Sequence, residues 1–452
     1  MKRIYLFSPL PPVSSGIAEY TKVLVNHLTG YELHVVIGQS EVSPIGNCTV
    51  HHWKEFLHQP LEKDAVCIYQ IGNHEYHRYV FPFLFAYPGI VVLHDFILTD
   101  NRFHVLRQYH TGPEISDEVK YCIGSQQSGD TLSWFIADGL FTADSRFLYP
   151  ELNRIIVEAG LCTIVHNPDT RDALQLMYPD RAVFYLPMGF WRTEAFRQSD
   201  PQTVHRKREA LGYSQDDLVL GHFGVLSSYK RVDRLIELVS RLRERECPAQ
   251  LLIVGFEGDD VDLKSLVTRY RISDYIRHIP NVSYSEYLDL IRCVDVGYSL
   301  RFPPVGEFSL STAELMACAR PVILLQHRFS AHLPDNVCIK IQPTREMDDL
   351  VESTLVLYRN PALARRIGEK AREYVQSTNS IDGMIDGYRD FIGATEYFQK
   401  KWKDPRPNFP YHLRPLKQRF DEQIKERFPA EIPSFIRKEL DLLFKHLDQR
   451  FL

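Results

Sequence analysis

A chain of 452 residues has room for about two to three domains. With 44% apolar and 12% aromatic residues it can fill packed cores, which excludes disorder of the whole. A formal net charge of −5 at pH 7 leaves no electrostatic footprint for nucleic acid. The eight cysteines stand singly, with no Cys-x-x-Cys pair and no His-x-x-x-His partner. Neither a disulfide framework nor a structural zinc site is indicated, and a reducing cytoplasm is the expected home. The apolar run near Met1 is interrupted by Pro9, Pro11 and Pro12, so it is expected to be neither a signal-peptide core nor a membrane span, and no other segment reaches transmembrane length.

Ile4 to Phe7 reads as a buried strand. A proline-rich turn and Ser14-Ser15-Gly16-Ile17 follow, then a helix with Ile17, Tyr20, Leu24 and Leu28 on one face. Strand, glycine turn and helix make a βα unit, and Gly16 lets backbone approach a ligand at the carboxyl end of a parallel strand. Leu33 to Ile37 and Ala65 to Tyr69 are the next strands. From Gln70 to Asp95 the chain passes through Gly72-Asn73-His74, an aromatic helix and a strand, Ile90 to Leu93, that delivers His94-Asp95 at its carboxyl end. Open α/β sheets do their chemistry at such ends. Asn73, His74, His77, His94 and Asp95 are therefore candidate acceptor-side or catalytic groups, with His94 able to move a proton or donate to an anion near neutral pH. Structural capping and a metal site are the competing readings, although nothing fixes three ligands at a known metal spacing.

Residues 100–160 read as helical and less regular, with a loop over Gly124 to Gly129. Cys162 to Val165 is a strand ending in His166-Asn167-Pro168, and Val183 to Leu186 is another, closed by Pro187-Met188-Gly189. The stretch from Trp191 to Asp216 is polar, charged and turn-rich, and a change of domain is expected within Gly189 to Gly212.

The second half restarts with the strand Leu218 to Phe223. Gly224, a Ser-Ser-Tyr turn, Lys230 and Arg231 lead into a helix with Val232, Leu235, Ile236, Val239 and Leu242 on one face. A glycine turn with adjacent cations at a helix N-terminus suits a diphosphate. Leu251 to Val254 is the next strand and ends in Gly255-Phe-Glu-Gly258. Between Tyr298 and Leu325 an acidic pair, Glu307 and Glu314, is separated by six residues, with Gly306 just before the first. A helix over Thr312 to Ala319 would have Ser309 and Ser311 as caps. The preceding loop would then offer free N–H groups beside a positive helix end, a cradle for phosphate with carboxylates for sugar hydroxyls. The plainer reading makes both Glu first-turn residues favoured by the helix dipole. A helix carrying Leu350, Leu355, Leu357 and Tyr358 closes this half, and strands alternating with helices throughout argue for two doubly wound sheets.

The last residues differ. Lys401 to Pro410 is a Pro-punctuated linker. Beyond it Leu416, Phe420, Ile424 and Phe428 recur every four residues, and Phe435, Ile436, Leu440, Leu443, Phe444, Leu447 and Phe451 mark a second amphipathic helix. Both mix acidic and basic residues on the polar side. That favours packing against the body or a second copy, as a homo-oligomer, over membrane-surface binding.

The run Glu314-Leu-Met-Ala-Cys-Ala-Arg-Pro-Val322 is similar to the Glu-Ala-Met-Ala-Cys-Gly-x-Pro-Val segment of family 4 glycosyltransferases. Arg301-Phe-Pro-Pro-Val-Gly-Glu-Phe-Ser309 resembles the Arg-x-Pro-x-x-Gly-Glu-x-Ser loop of a bacterial branch of that family. In the usual pattern the first Glu would stand at Gly306, and here Glu307 comes one place late. Lys230 falls on the donor-phosphate lysine, Gly16 on the opening glycine loop, and Gly255-Phe-Glu-Gly258 resembles the Val-Gly-x-Gly turn. Val225 stands where most members have Arg.

The resemblance covers about Met1 to Phe391 and implies the α/β GT-B architecture, two Rossmann-like doubly wound domains facing across a cleft, with a C-terminal helical extension. The implied divisions are 1–195 for the acceptor-side domain, 196–375 for the donor domain, 376–400 for a helix crossing back, and 401–452 for linker and tail. It further implies a retaining hexosyltransferase that uses a nucleotide diphosphate sugar, UDP- or GDP-linked, with no metal and no other cofactor. The implied donor contacts are Gly16, Gly224, Lys230, Arg231, Gly255, Arg301, Gly306, Glu307, Phe308, Ser309 and Glu314, the last on the ribose. The catalytic candidates are His94, Asp95, Lys230 and Glu307. The implied acceptor is a glycan, lipid-linked or protein-linked, of bacterial surface polysaccharide, met in the cytoplasm or at the inner face of the membrane through peripheral contact. The alternatives are a catalytically silent nucleotide- or partner-binding protein, and a nucleotide-sugar epimerase or hydrolase of the same architecture.

Overall fold

The computed structural model describes residues 1–57, 61–62, 64–99, 101–102, 112–124, 151–198, 200–258, 260–405 and 408–409. The tail helices expected beyond residue 410, and the loop expected after Gly124, lie outside the described residues. The chain divides into two compact units. Unit 1 comprises Met1–Leu186, Val305–Glu307 and the described part of Met384–Leu452; unit 2 comprises Pro187–Pro304 and Phe308–Gly383. The polar stretch after Leu186 belongs to unit 2 because Phe190, Ala195 and Tyr213 are buried in its core. Asn379 ties it down further, donating to Met188 O at 2.8 Å and accepting from Phe190 N at 2.7 Å.

Among the described residues unit 1 is built on seven parallel strands: Arg3–Phe7 (β1), Glu32–Ile37 (β2), Thr49–His52 (β3), Val66–Ile71 (β4), Ile90–Leu93 (β5), Cys162–Val165 (β6) and Val183–Tyr185 (β7). Their order is β3-β2-β1-β4-β5-β6-β7, and Ile4 pairs with Leu33 on one side and Val66 on the other. The central strands are near-continuous apolar runs because a parallel sheet is covered on both faces. Helix Gly16–His27 follows β1. Ser15 caps it, its Oγ accepting from Ile17 N at 3.2 Å, and Ala18, Tyr20, Thr21, Leu24 and Val25 form its buried face.

Unit 2 holds six parallel strands: Leu218–Phe223 (β8), Ala249–Val254 (β9), Ile276–Ile279 (β10), Val296–Ser299 (β11), Val322–Leu325 (β12) and Ile339–Ile341 (β13), in the order β10-β9-β8-β11-β12-β13. Alternate β8 residues enter opposite layers. Leu218 and Leu220 join Leu235, Ile236, Val239 and Leu242 of helix Val232–Arg243, whereas Val219 and Phe223 join Leu315 and Met316 of helix Leu310–Ala317. Each such aliphatic side chain contributes about 1.5–3 kcal/mol on burial.

The edge strands β3, β10 and β13 carry His51, His52, Arg277, His278 and Lys340, so they lack the apolar run that reveals their neighbours in the sequence. Helix Leu310–Ala317 starts and stops earlier than the Thr312 to Ala319 expected, since Ala319 turns to φ +56°. Ser311 therefore lies inside the helix and Ser309 alone caps it. In both sheets the strand order reverses beside the first strand, between β1 and β4 and between β8 and β11. Open α/β sheets bind ligands outside the carboxyl ends of the strands at such switch points. No helix among the described residues is long and apolar enough to cross a membrane.

Candidate functional site

The expected site residues fall into two groups. Gly224, Lys230, Arg231, Gly255, Arg301, Phe308, Ser309 and Glu314 belong to unit 2; Gly16, Asn73, His74, His77, His94, Asp95, Gly306 and Glu307 belong to unit 1.

In unit 2 one glycine turn follows β8, beside the switch point, and another follows the adjacent β9. Gly224 has φ +106° and Gly255 has φ +146°, and a Cβ on Gly255 would stand 2.1 Å from Gly224 O, so the two backbones touch where only glycine fits. Leu226 N donates to Phe256 O at 2.8 Å and Gly258 N to Leu226 O at 2.7 Å, which stitches the turns together. Lys230 Nζ donates to Val225 O at 2.8 Å, and a Cβ on Gly224 would lie 3.2 Å from the same Nζ. Arg301 donates to Ser299 Oγ at 2.6 Å and to Ser311 Oγ at 3.4 Å. Phe302 N donates to Tyr229 O at 2.7 Å, joining the loops that carry the two cations. Both act on His222 at the end of β8: burial first, then Lys230 and Arg301, hold its pKa down at about 3. The N-terminus of helix Leu310–Ala317 completes the group, with Ser309 Oγ accepting from Thr312 N at 3.3 Å. Cations, glycine backbone and a helix N-terminus grouped in this way suit an anion.

Arg231 is not part of it. With φ +57° it turns aside, donates to Glu346 at 2.6 Å and lies 5.6 Å from the Phe302 ring centroid, while Arg234 reaches the same carboxylate at 3.5 Å. The second cation is Arg301. Phe308 packs on the core of unit 2. Glu314 is 1% exposed, and both its oxygens are engaged: one accepts from Arg192, the other from Tyr287 OH at 2.9 Å. Arg192 also lies over the Tyr284 ring, 4.5 Å from its centroid. Burial raises the Glu314 pKa, with Arg192 and Tyr287 opposing. A ribose would have to share these oxygens with Arg192 and Tyr287 or displace one of them.

In unit 1 the polar residues cluster at the ends of β4 and β5. Asp95 accepts from Asn73 N at 2.6 Å. Asn101 clamps the turn, donating through Nδ2 to Gly72 O at 3.1 Å and His74 O at 2.7 Å, and through its own N to Asn73 Oδ1 at 3.1 Å. His74 caps the short turn Glu75–His77 by accepting from Tyr76 N. His77 is fully buried and donates from Nδ1 to Gln70 O at 2.9 Å; burial lowers its pKa to about 4. His94 donates from Nε2 to Gln70 Oε1 at 2.7 Å, and burial, then His166 and His77, push its pKa well below the usual value. Gln70 donates in turn to Tyr388 OH at 3.2 Å, and Tyr388 meets Tyr20 OH at 2.8 Å. His77 and His94 are thus neutral members of an interior network. Gly16 opens its helix, and a Cβ there would meet nothing within 4 Å. Gly306, at φ +78°, accepts from Thr170 Oγ1 at 3.2 Å, and a Cβ there would come 2.4 Å from Phe96 Cβ. Glu307 is half-buried. Among the described residues no group of three or more His, Cys, Asp or Glu is placed to hold a metal ion.

His222, Arg192, Tyr287 and Asn101 escaped the sequence reading. His222 had a signal, a polar residue near the end of an apolar strand; the others stand in no motif.

Residues 204–374 match the family described as Glycosyl transferases group 1. The matched segment lies almost wholly in unit 2. The protein named Putative glycosyltransferase EpsD of Bacillus subtilis (strain 168) is 24% identical over 207 residues, covering 44% of this chain and 52% of that protein. The match therefore spans about half of that relative's length. Among solved structures, sucrose-phosphate synthase from Thermosynechococcus elongatus has 16% identity and a TM-score of 0.59, covering 87% of this chain and 100% of that one. WaaG, a glycosyltransferase involved in lipopolysaccharide biosynthesis, has 15% identity and a TM-score of 0.56 over 86% of this chain and 99% of its own. Anabaena HepE in complex with UDP has 14% identity and a TM-score of 0.54 over 87% of this chain and 100% of its own. These likenesses show the fold, two parallel-sheet α/β domains of the GT-B type.

Proposed function

We propose that this protein is a retaining glycosyltransferase that moves a hexosyl group from a nucleoside diphosphate sugar to a hydroxyl of a lipid-linked, protein-linked or growing glycan, in bacterial surface polysaccharide or glycoconjugate synthesis at the cytoplasmic side of the membrane. The observation that carries this reading is the anion site of unit 2, with Lys230 and Arg301 beside the glycine turns and the N-terminus of helix Leu310–Ala317. It lies inside the segment that matches group 1 glycosyltransferases.

In the reaction the bond between the anomeric carbon and the diphosphate oxygen breaks, the acceptor oxygen bonds to the same face, and the acceptor's hydroxyl proton passes to the departing diphosphate. Negative charge grows on the departing diphosphate. Lys230, Arg301 and the helix N–H groups would receive it, and such charge stabilisation carries most of the rate in sites of this kind. Gly224 and Gly255 let the backbone approach the phosphates. Glu314 reaches the ribose by sharing its oxygens with Arg192 and Tyr287 or exchanging one of them. In unit 1 the Asn73–His74 turn and Asp95, held by Asn101, are the acceptor-side contacts.

A second reading, nucleotide binding without turnover, is favoured by Val225, which is 44% exposed where the resembling enzymes carry Arg. One experiment separates the two. Melting temperatures are measured with UDP, GDP, ADP and CMP for the wild type, Lys230→Ala and Arg301→Ala. UDP is the first nucleotide to test because HepE binds it. A ligand at about 100 times its dissociation constant stabilises by about 2.7 kcal/mol. A shift with one diphosphate, lost in both variants, supports the donor site. Sugar transfer to an acceptor then supports the enzyme, and binding without transfer supports the silent reading. No shift with any nucleotide refutes both.

A further inference from the structure

A parallel strand covered on both faces asks for apolar side chains. Strand β8 obeys at every position but one, reading Leu-Val-Leu-Gly-His-Phe. His222 is 4% exposed, and its Nε2 is buried with no hydrogen-bond partner among the described residues. An orphaned buried polar group costs about 1–3 kcal/mol, which an apolar ring of similar size would avoid. The charges that act on it are those of Lys230, from the turn after β8, and Arg301, from the loop after β11, with no carboxylate among them in the described residues. Two cations offer no acceptor for an imidazole N–H. In the tautomer that carries its proton on Nε2, what can complete the bond is an anion, and the proposed anion site of unit 2 is where those same cations stand.

We propose that His222 is a third ligand of the diphosphate, donating its Nε2–H beside Lys230 and Arg301 and standing in for the cation that Val225 does not provide. The inference rests on the glycosyltransferase reading and adds to it a residue that neither the sequence motifs nor the family match assigns. Burial and the two cations keep the ring neutral, so it acts as a directed donor rather than as a third charge. The strand register supports this placement: His222 pairs with Ile253 of β9, and the glycine turns after β8 and β9 begin within two residues of that pair.

The test uses the full chain and isothermal titration with UDP and GDP on the wild type, His222→Phe and His222→Gln, with the melting temperature of each free protein as the structural control. The expected result is about tenfold or greater weakening in His222→Phe, worth about 1.4 kcal/mol, with a melting temperature equal to or above that of the wild type. His222→Gln, which keeps an N–H donor, recovers part of the affinity. If His222→Phe binds as tightly as the wild type, the inference is overturned and the glycosyltransferase reading stands. Equally, if affinity and melting temperature fall together in both variants, the ring serves packing and the inference is wrong. If the wild type binds neither nucleotide, the functional reading itself fails.

Discussion

Replacing Arg192 by Met should destabilise unit 2 by an amount that grows with pH. Glu314 is 1% exposed, and its oxygens accept from Arg192 and Tyr287. Burial already lifts its pKa above the ordinary 4.5, and Arg192 is the chief influence opposing that rise. Without the guanidinium, the buried carboxyl takes a proton rather than remain charged in a low-dielectric setting. Its folded pKa is then far above its unfolded value, so the stability of the protonated form is fully present below about pH 4.5 and is lost as pH rises through the folded pKa. Holding the proton costs about 1.36 kcal/mol for each pH unit above the unfolded pKa. That amounts to about 1.4 kcal/mol at about pH 5.5 and about 3.4 kcal/mol at about pH 7, close to the roughly 3–5 kcal/mol for breaking a buried ion pair. Urea unfolding at both pH values would be compared for the wild type, Arg192→Met, Glu314→Gln and the double variant. Because Gln does not titrate, the double variant should lose the pH-dependent part. A cost for Arg192→Met that is equal at the two pH values, or a double variant as pH-dependent as the single one, would refute the reasoning.

Three further outcomes follow from the packing. Gly255→Ala places a Cβ 2.1 Å from Gly224 O at φ +146°, so it should abolish the nucleotide-induced melting shift, whereas Gly16→Ala, with open space at the same position, should leave stability within about 1 kcal/mol. Arg102 and Glu118 are buried and joined by two hydrogen bonds of 2.7 Å, so Arg102→Met should cost about 3–5 kcal/mol in urea unfolding and loosen the turn that neighbouring Asn101 clamps. His77 and His166 are buried neutral with pKa values lowered from 6.5 to about 4; the stability this contributes is present above pH 6.5 and lost as pH falls toward 4, at about 1.4 kcal/mol per unit for each. His166→Gln should remove one of these protons from the acid limb, and an unchanged slope of stability against pH would contradict the assignment.

Strand β8 was legible in the sequence to the residue, because a buried parallel strand reads as a mainly apolar run between turns, and His222 alone departs from it. The edge strands β3 and β13 were not, since with polar residues on short segments they look like loops until a neighbour supplies the ladder. Site residues divided the same way. Gly224, Lys230 and Gly255 lie within turns whose spacing already suggests backbone close to a ligand. The direction of Arg231 could not be read, because it depends on a left-handed backbone and on Glu346, 115 residues away. Nor could the fate of Glu314, whose partners Arg192 and Tyr287 are 122 and 27 residues distant. Local motifs name the candidates; distant charges decide which of them remain available.

That redistribution of charge bears on the proposed chemistry. Arg231 donates to Glu346 and Arg192 to Glu314, and Val225 supplies no charge; on the proposed reading Lys230 and Arg301 are the cations that meet the phosphates. A nucleoside diphosphate sugar carries one negative charge on each phosphate, so the two side chains balance the bound donor. Bond breaking adds about one more charge to the leaving group. The groups left to meet it are the N-terminus of helix Leu310–Ala317, equivalent to about half a positive charge, and the Nε2–H of His222. Both are fixed dipoles whose value rises as that charge develops, so their removal should lower kcat more than it raises KM. Loss of Lys230, which already faces a charged donor, should weaken ground-state binding as well.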